Sequence, residues 1–196
     1  MSFLDDVTEE EASGEVAEVY DAERDRLGYV SNMIRVFSHG PQVYAGWRAL
    51  LGSIAGSMDA RRYELVTLAA ARALRSSYCM LAHGEVIVDR FLGADELRAV
   101  AADHREARLD AVDVAVMDLA EQVVRDATAV TQAQIGRLRA LGLSDTEIFE
   151  VAAAAAARCF FSKTLDALGV QADARFAEVE PGLRETLVVG RPIADS

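Results

Sequence analysis

Apolar residues recur every third or fourth position along almost the whole chain, the period of a helix with one buried face, and Gly and Pro fall mostly between these runs. No clear run with the two-residue alternation of a strand occurs before the C-terminus, so the pattern predicts an all-α fold, a helical bundle. In "TEEEASGEVAEVYDAERDRLG" (Thr8–Gly28), Val16, Val19 and Tyr20 share one face and charge takes the other, which predicts an amphipathic N-terminal helical arm within residues 1–30. After Gly40, Pro41 suits a first helical position, and Val43, Trp47, Leu50, Leu51 and Ile54 follow at helical spacing, with Trp47 in the core. The stretch Asp59–Leu74 opens on a capping Asp and is apolar on nearly every side from Leu65 onward, as a central helix would be.

A helix over Ser77–Phe91 follows, and the short connection makes it an antiparallel partner of the central one. Gly93 breaks the chain before a short helix at Glu96–Ala102, and Arg108–Ala127 is cleanly amphipathic. Thr131/Gln134 and Ser144/Glu147 carry the capping-box spacing, with Gly142 and Gly169 placed to end the helices they follow. Residues 171–196 are a tail whose apolar run between Pro181 and Pro192 either extends along a neighbouring subunit or is a mobile end.

Composition narrows the function classes. A chain of 196 residues, 52% hydrophobic, can bury one core, so residues 1–196 are expected to form a single domain. A formal charge of −12 without a basic stripe argues against nucleic acid. The most apolar segment, Ile148–Phe161, is interrupted by Glu150 and Arg158 and falls short of the ~18–20 uncharged residues of a membrane span. Two cysteines and no charged-then-apolar leader at Met1–Asp6 point to a reducing cytoplasm. No phosphate-binding or dinucleotide glycine loop and no serine elbow is present, and His39 and His104 stand in no ligand spacing, so neither a cofactor nor a metal is expected.

The chemistry concentrates in "RSSYCMLAHGE" (Arg75–Glu85), where Cys79 and His83 are four residues apart and share a helix face. With Ser76 or Ser77 as cap, Cys79 sits in the first turn, where free N–H groups and the helix dipole favour a thiolate. Two readings of these eleven residues stand: a thiol with an adjacent base, or a buried small hydrophobe beside a satisfied core histidine. Glu64 likewise reads as an active carboxylate, or as a partner of Arg61 or Arg72 or a solvated helix start.

The longer stretch "ELVTLAAARALRSSYCMLAH" resembles the signature of the alkylhydroperoxidase D and carboxymuconolactone decarboxylase superfamily, a glutamate, eleven residues, then C-x-x-C-x-x-x-H. Glu64 matches the glutamate, Cys79 the second cysteine and His83 the histidine. "GYVSNMIRVFSHGPQVYAGWRALL" resembles the entry segment of the peroxidase-related branch, and "LGLSDTEIFEV" with "LDALGV" its C-terminal helix.

The resemblance implies an AhpD-like all-helical fold, assembly into a homo-oligomer (trimer or hexamer), and a thiol-dependent peroxidase in which Cys79 attacks a peroxide and Glu64 with His83 relays protons. One departure matters: Ser76 stands where the family has its first, resolving cysteine, so recycling needs an external thiol reductant or Cys159. Cys159 reads as a structural helix residue or as a pocket residue, and Ser76 and Tyr78 as further polar neighbours. The alternatives are a decarboxylase-type acid–base enzyme using Glu64 and His83 on a small carboxylated or lactone substrate, and a non-catalytic helical member.

Overall fold

The computed structural model describes residues 2–195 and contains ten α-helices and no strand among them. They run α1 (Glu15–Leu27), α2 (Asn32–Phe37), α3 (Pro41–Ser57), α4 (Ala60–Leu74), α5 (Ser77–Arg90), α6 (Ala94–Ala102), α7 (Ala111–Asp126), α8 (Gln132–Ala140), α9 (Asp145–Ala167) and α10 (Pro181–Leu187). The only β-type pairing among the described residues is a single parallel bridge between Ala172 and Ile193.

The centre is α4, as its nearly continuous apolar run requires. Every residue from Tyr63 to Ala71 is buried, and the helix packs against α5, α7 and α9. Asp59 caps it by accepting from the Arg62 N–H at 2.9 Å. It stops at Arg75, which takes φ 58 and is the only described non-glycine residue in the left-handed region. Two residues later, at Ser77, α5 begins, so the chain turns back and sets Glu64 against His83. Both capping boxes form, and Glu147 also pairs with Arg62 at 2.7 Å. Hydrogen bonds from the Ser144 backbone and side chain and from Arg62 hold the Glu147 carboxyl down at about 2.

Three expectations need correction. The helix of the N-terminal arm starts at Glu15 rather than Thr8, because Gly14 takes φ 56 and Thr8 instead closes a local turn with Glu11. The arm docks through Tyr20, which packs with Val30 and Ile34 and donates its hydroxyl to the Val7 carbonyl at 2.7 Å. A short helix, α2, forms within the segment before Pro41, where the periodicity is too brief to register.

The third correction concerns the tail, which is neither loose nor extended away from its own chain. Glu180 caps α10 through the N–H groups of Gly182 and Leu183, and Leu183 and Leu187 are buried. Beyond α10, Gly190 N–H donates to Ser77 Oγ at 2.8 Å, at the start of the Cys79 helix. A Cβ at Gly190 would collide with the Arg75 carbonyl, so only glycine permits this approach.

Candidate active site

Cys79 lies in the first turn of α5 and is 1% exposed. Its sulfur is 3.2 Å from Ser162 Oγ on α9 and 3.8 Å from Arg158 Nη1, one turn earlier on the same helix. Arg158 was not among the residues singled out from the sequence, and it is the largest surprise of the site. Its side chain is 2% exposed, forms no ion pair among the described residues, donates from Nη2 to Tyr63 OH at 3.4 Å, and leaves Nε without a partner. A cation this buried is costly unless negative charge is placed beside it.

Glu64 and His83 form the second half. Glu64 Oε2 is 2.7 Å from His83 Nδ1, and neither group is freely solvated. Arg61 and Arg72 pair instead with Asp113 and Glu121, so the ion-pair reading of Glu64 does not hold. Burial, helped by the Arg158 charge, pushes the His83 imidazolium down against the pull of Glu64. With Nδ1–H directed at the carboxylate, His83 keeps a lone pair on Nε2 and can act as a base.

Cys79 and His83 line one cavity of ≈ 370 Å³. No direct hydrogen bond joins the thiol to the imidazole, because the sulfur is turned to Ser162 and Arg158. Trp47 and Phe161, stacked at 4.2 Å, form an aromatic wall. Ser76 is fully buried at the N-terminal cap of α5, its hydroxyl unpartnered, and Cys159 is a partly exposed free thiol outside the lining.

Tyr78 also lines this cavity, but its hydroxyl is already engaged. Its hydroxyl donates to Asp173 at 2.7 Å, and burial and that carboxylate keep it firmly protonated. Asp173 also accepts from Tyr29 OH at 3.2 Å and from the Asn32 N–H at 2.7 Å, which fixes the segment after α9 as one side of the cavity. Arg175, from that segment, grips Glu85 with two bonds of 2.8 Å at the rim.

Comparison with known proteins places this geometry. Residues 41–122, which include Glu64, Cys79 and His83, match the model of the carboxymuconolactone decarboxylase family. No curated protein matches the chain. An uncharacterized peroxidase-related protein with an alkylhydroperoxidase AhpD core from Ralstonia eutropha JMP134 superposes with a TM-score of 0.80 at 20% identity, covering 89% of this chain and 94% of its own. A peroxidase-related protein from Silicibacter sp. TM1040 gives 0.75 at 17% identity, with 90% and 91% covered. The debrominase Bmp8 gives 0.68 at 15% identity, with 88% and 90% covered, and a variant of it has been solved in complex with 2,3,4-tribromopyrrole. At these identities the likeness establishes the fold.

Proposed function

We propose that the chain is a thiol-dependent peroxidase with one reactive cysteine, because residues 41–122 match the carboxymuconolactone decarboxylase family model and the helices follow the arrangement of the AhpD-core structure. The observation that carries this reading is the placement of the Cys79 sulfur beside the buried Arg158 guanidinium, in a small cavity also lined by His83, whose Nδ1 is held from behind by Glu64.

The thiol proton passes through water or the peroxide hydroxyl to Nε2 of His83, and Glu64 steadies the imidazolium. The sulfur then attacks the terminal peroxide oxygen. The O–O bond breaks, the leaving alkoxide takes the proton from His83, and Cys79 is oxidised to a sulfenic acid. Ser76 cannot resolve it, so an external thiol displaces water to give a mixed disulfide. A second external thiol then releases Cys79 as the thiol and leaves as the oxidised disulfide. Such a cycle suits a reducing compartment such as the cytoplasm.

The test is peroxide consumption with several low-molecular-weight thiols, run beside Cys79→Ser and Cys159→Ser. Turnover should vanish in the first and persist in the second, and peroxide alone should add oxygen to Cys79. Equal turnover by wild type and Cys79→Ser would remove the reading. The Glu64–His83 pair, bonded independently of the thiol, favours acid–base chemistry on a carboxylated or lactone substrate as the second reading, which then takes its place.

A further inference from the structure

The polar side chains lining the Cys79 cavity are mostly satisfied within the protein. Tyr78 donates to Asp173, Arg175 grips Glu85, and Ser31 and Arg26 both donate to Glu23. Arg48 at the rim is exposed to solvent, and among the buried donors two break this pattern. Arg158 Nε and Trp47 Nε1 are buried N–H groups with no hydrogen-bond partner, and both residues line the cavity. Arg158 is 2% exposed and Trp47 7%. Both nitrogens are donors only, so nothing but an acceptor can satisfy them. A buried donor left unmade is destabilising, and native structures leave few of them.

The remaining contacts of Arg158 reinforce the point. Its Nη atoms reach only a sulfur at 3.8 Å and a phenol at 3.4 Å, both long, and the guanidinium still offers a planar fork. The shape that fits a guanidinium edge is an oxyanion, and a carboxylate fits it with two bonds. The wall beside it is the stacked Trp47–Phe161 pair, which suits a flat apolar body. The volume of ≈ 370 Å³ lies at the small end of the range for small-molecule sites, about 300–1,000 Å³.

We propose that this cavity binds a small organic oxyanion, of the aromatic carboxylate kind, with its charged end on the Arg158 guanidinium and its flat body against Trp47 and Phe161. The substrate thus carries an anionic handle that holds its reactive part at Cys79. The inference rests on the reading of this cavity as the Cys79 site, but not on the reaction that Cys79 performs.

The test is equilibrium binding of benzoate and of its neutral isostere benzamide to the full chain carrying Cys79→Ser, where no thiolate competes for Arg158. Calorimetry measures the affinity, and the fluorescence of Trp47, the single tryptophan, reports occupancy of this cavity. Benzoate should bind about tenfold or more tightly than benzamide and perturb the Trp47 emission. Arg158→Met should weaken benzoate by roughly 10- to 100-fold and leave benzamide nearly unchanged, and Trp47→Phe should weaken benzoate by a smaller factor.

Should Arg158→Met fail to fold, Arg158→Lys carries the test, since it keeps a cation but loses Nε and the planar fork. Equal affinities for the two probes, millimolar benzoate without effect, or undiminished benzoate affinity in the Arg158 variants would each overturn the proposal. Peroxide turnover by the wild-type chain, measured in parallel, is read independently: its loss removes the peroxidase and leaves the oxyanion site standing, and the converse holds.

Discussion

Arg158→Met is the most direct probe of the site, because it removes the charge and keeps an unbranched apolar side chain out to the position of Nε. The guanidinium Nη1 stands 3.8 Å from the Cys79 sulfur and is shielded from solvent. Opposite unit charges at about 4 Å attract by ~4 kcal/mol at an effective dielectric of 20. Ser162 can still donate to the sulfur in the variant, and water entering the vacated space screens part of the loss. Retaining a third of the attraction as the net effect, about 1.4 kcal/mol, is a tenfold change in the rate of a reaction whose transition state carries negative charge on the sulfur. The rate of Cys79 alkylation by iodoacetamide at neutral pH should therefore fall about tenfold. It is followed by intact-protein mass spectrometry in a Cys159→Ser background, so that only one thiol is counted. Arg158→Lys, which keeps a cation, should fall between the two. Thermal stability should hold or rise, because removing an unpaired buried charge relieves its desolvation cost. Equal alkylation rates in parent and Arg158→Met would refute the assignment of Arg158 to the thiolate.

Three further outcomes are expected. The folded His83 resists protonation relative to the unfolded chain, so the stability tied to its neutral form is complete above pH ~6.5 and is lost as pH falls through the lowered folded value, at no more than ~1.4 kcal/mol per pH unit. Glu64→Gln removes the partner that opposes this shift and should deepen the acid loss in denaturant midpoints; unchanged acid sensitivity would contradict the pairing. Leu187→Ala, at a residue 1% exposed, should cost ~2–5 kcal/mol in chemical denaturation, whereas a free tail would show no cost. Exposed Val43 and Leu50 on α3 and Phe149 and Phe160 on α9, two helices that pack together, suit a self-association face, so sedimentation should detect an oligomer that Phe149→Glu weakens. A monomer at micromolar concentration in the wild type would refute that.

The helices were legible because their period is regular and their caps are written in residue type: Asp59, Thr131 and Ser144 all cap as their spacing implies. The start of α1 was not, because the apolar period does not weigh the Thr8–Glu11 turn and the Gly14 break, and the docking of the arm and the fate of the tail were not, since both depend on long-range partners. Tyr20 holds the arm through a carbonyl thirteen positions away, and Gly190 is held by a hydroxyl 113 positions away. No local pattern records such a bond. Similarly, i to i+4 spacing put Cys79 and His83 on one face, but it could not say that the sulfur would turn to Ser162 and the imidazole to Glu64.

Arg158 was visible in the sequence for what it excluded, a membrane span, and not for what it required. Within the α9 run "AAAAAARCFF" it is the one cation on a helix whose neighbours Ala154, Ala155, Ala157 and Phe161 are all buried. A charge there must meet an anion, a hydrogen-bond network or a ligand, because desolvation alone would expel it. No carboxylate among the described residues forms an ion pair with Arg158, so the demand falls on Cys79 and on whatever enters the cavity. Where the family pattern places a second thiol to share the work of Cys79, this chain has Ser76, and the sulfur instead has a cation from the opposite helix. On the proposed peroxidase reading, that exchange keeps the activation of the nucleophile inside the protein and passes its recycling to a reductant from outside.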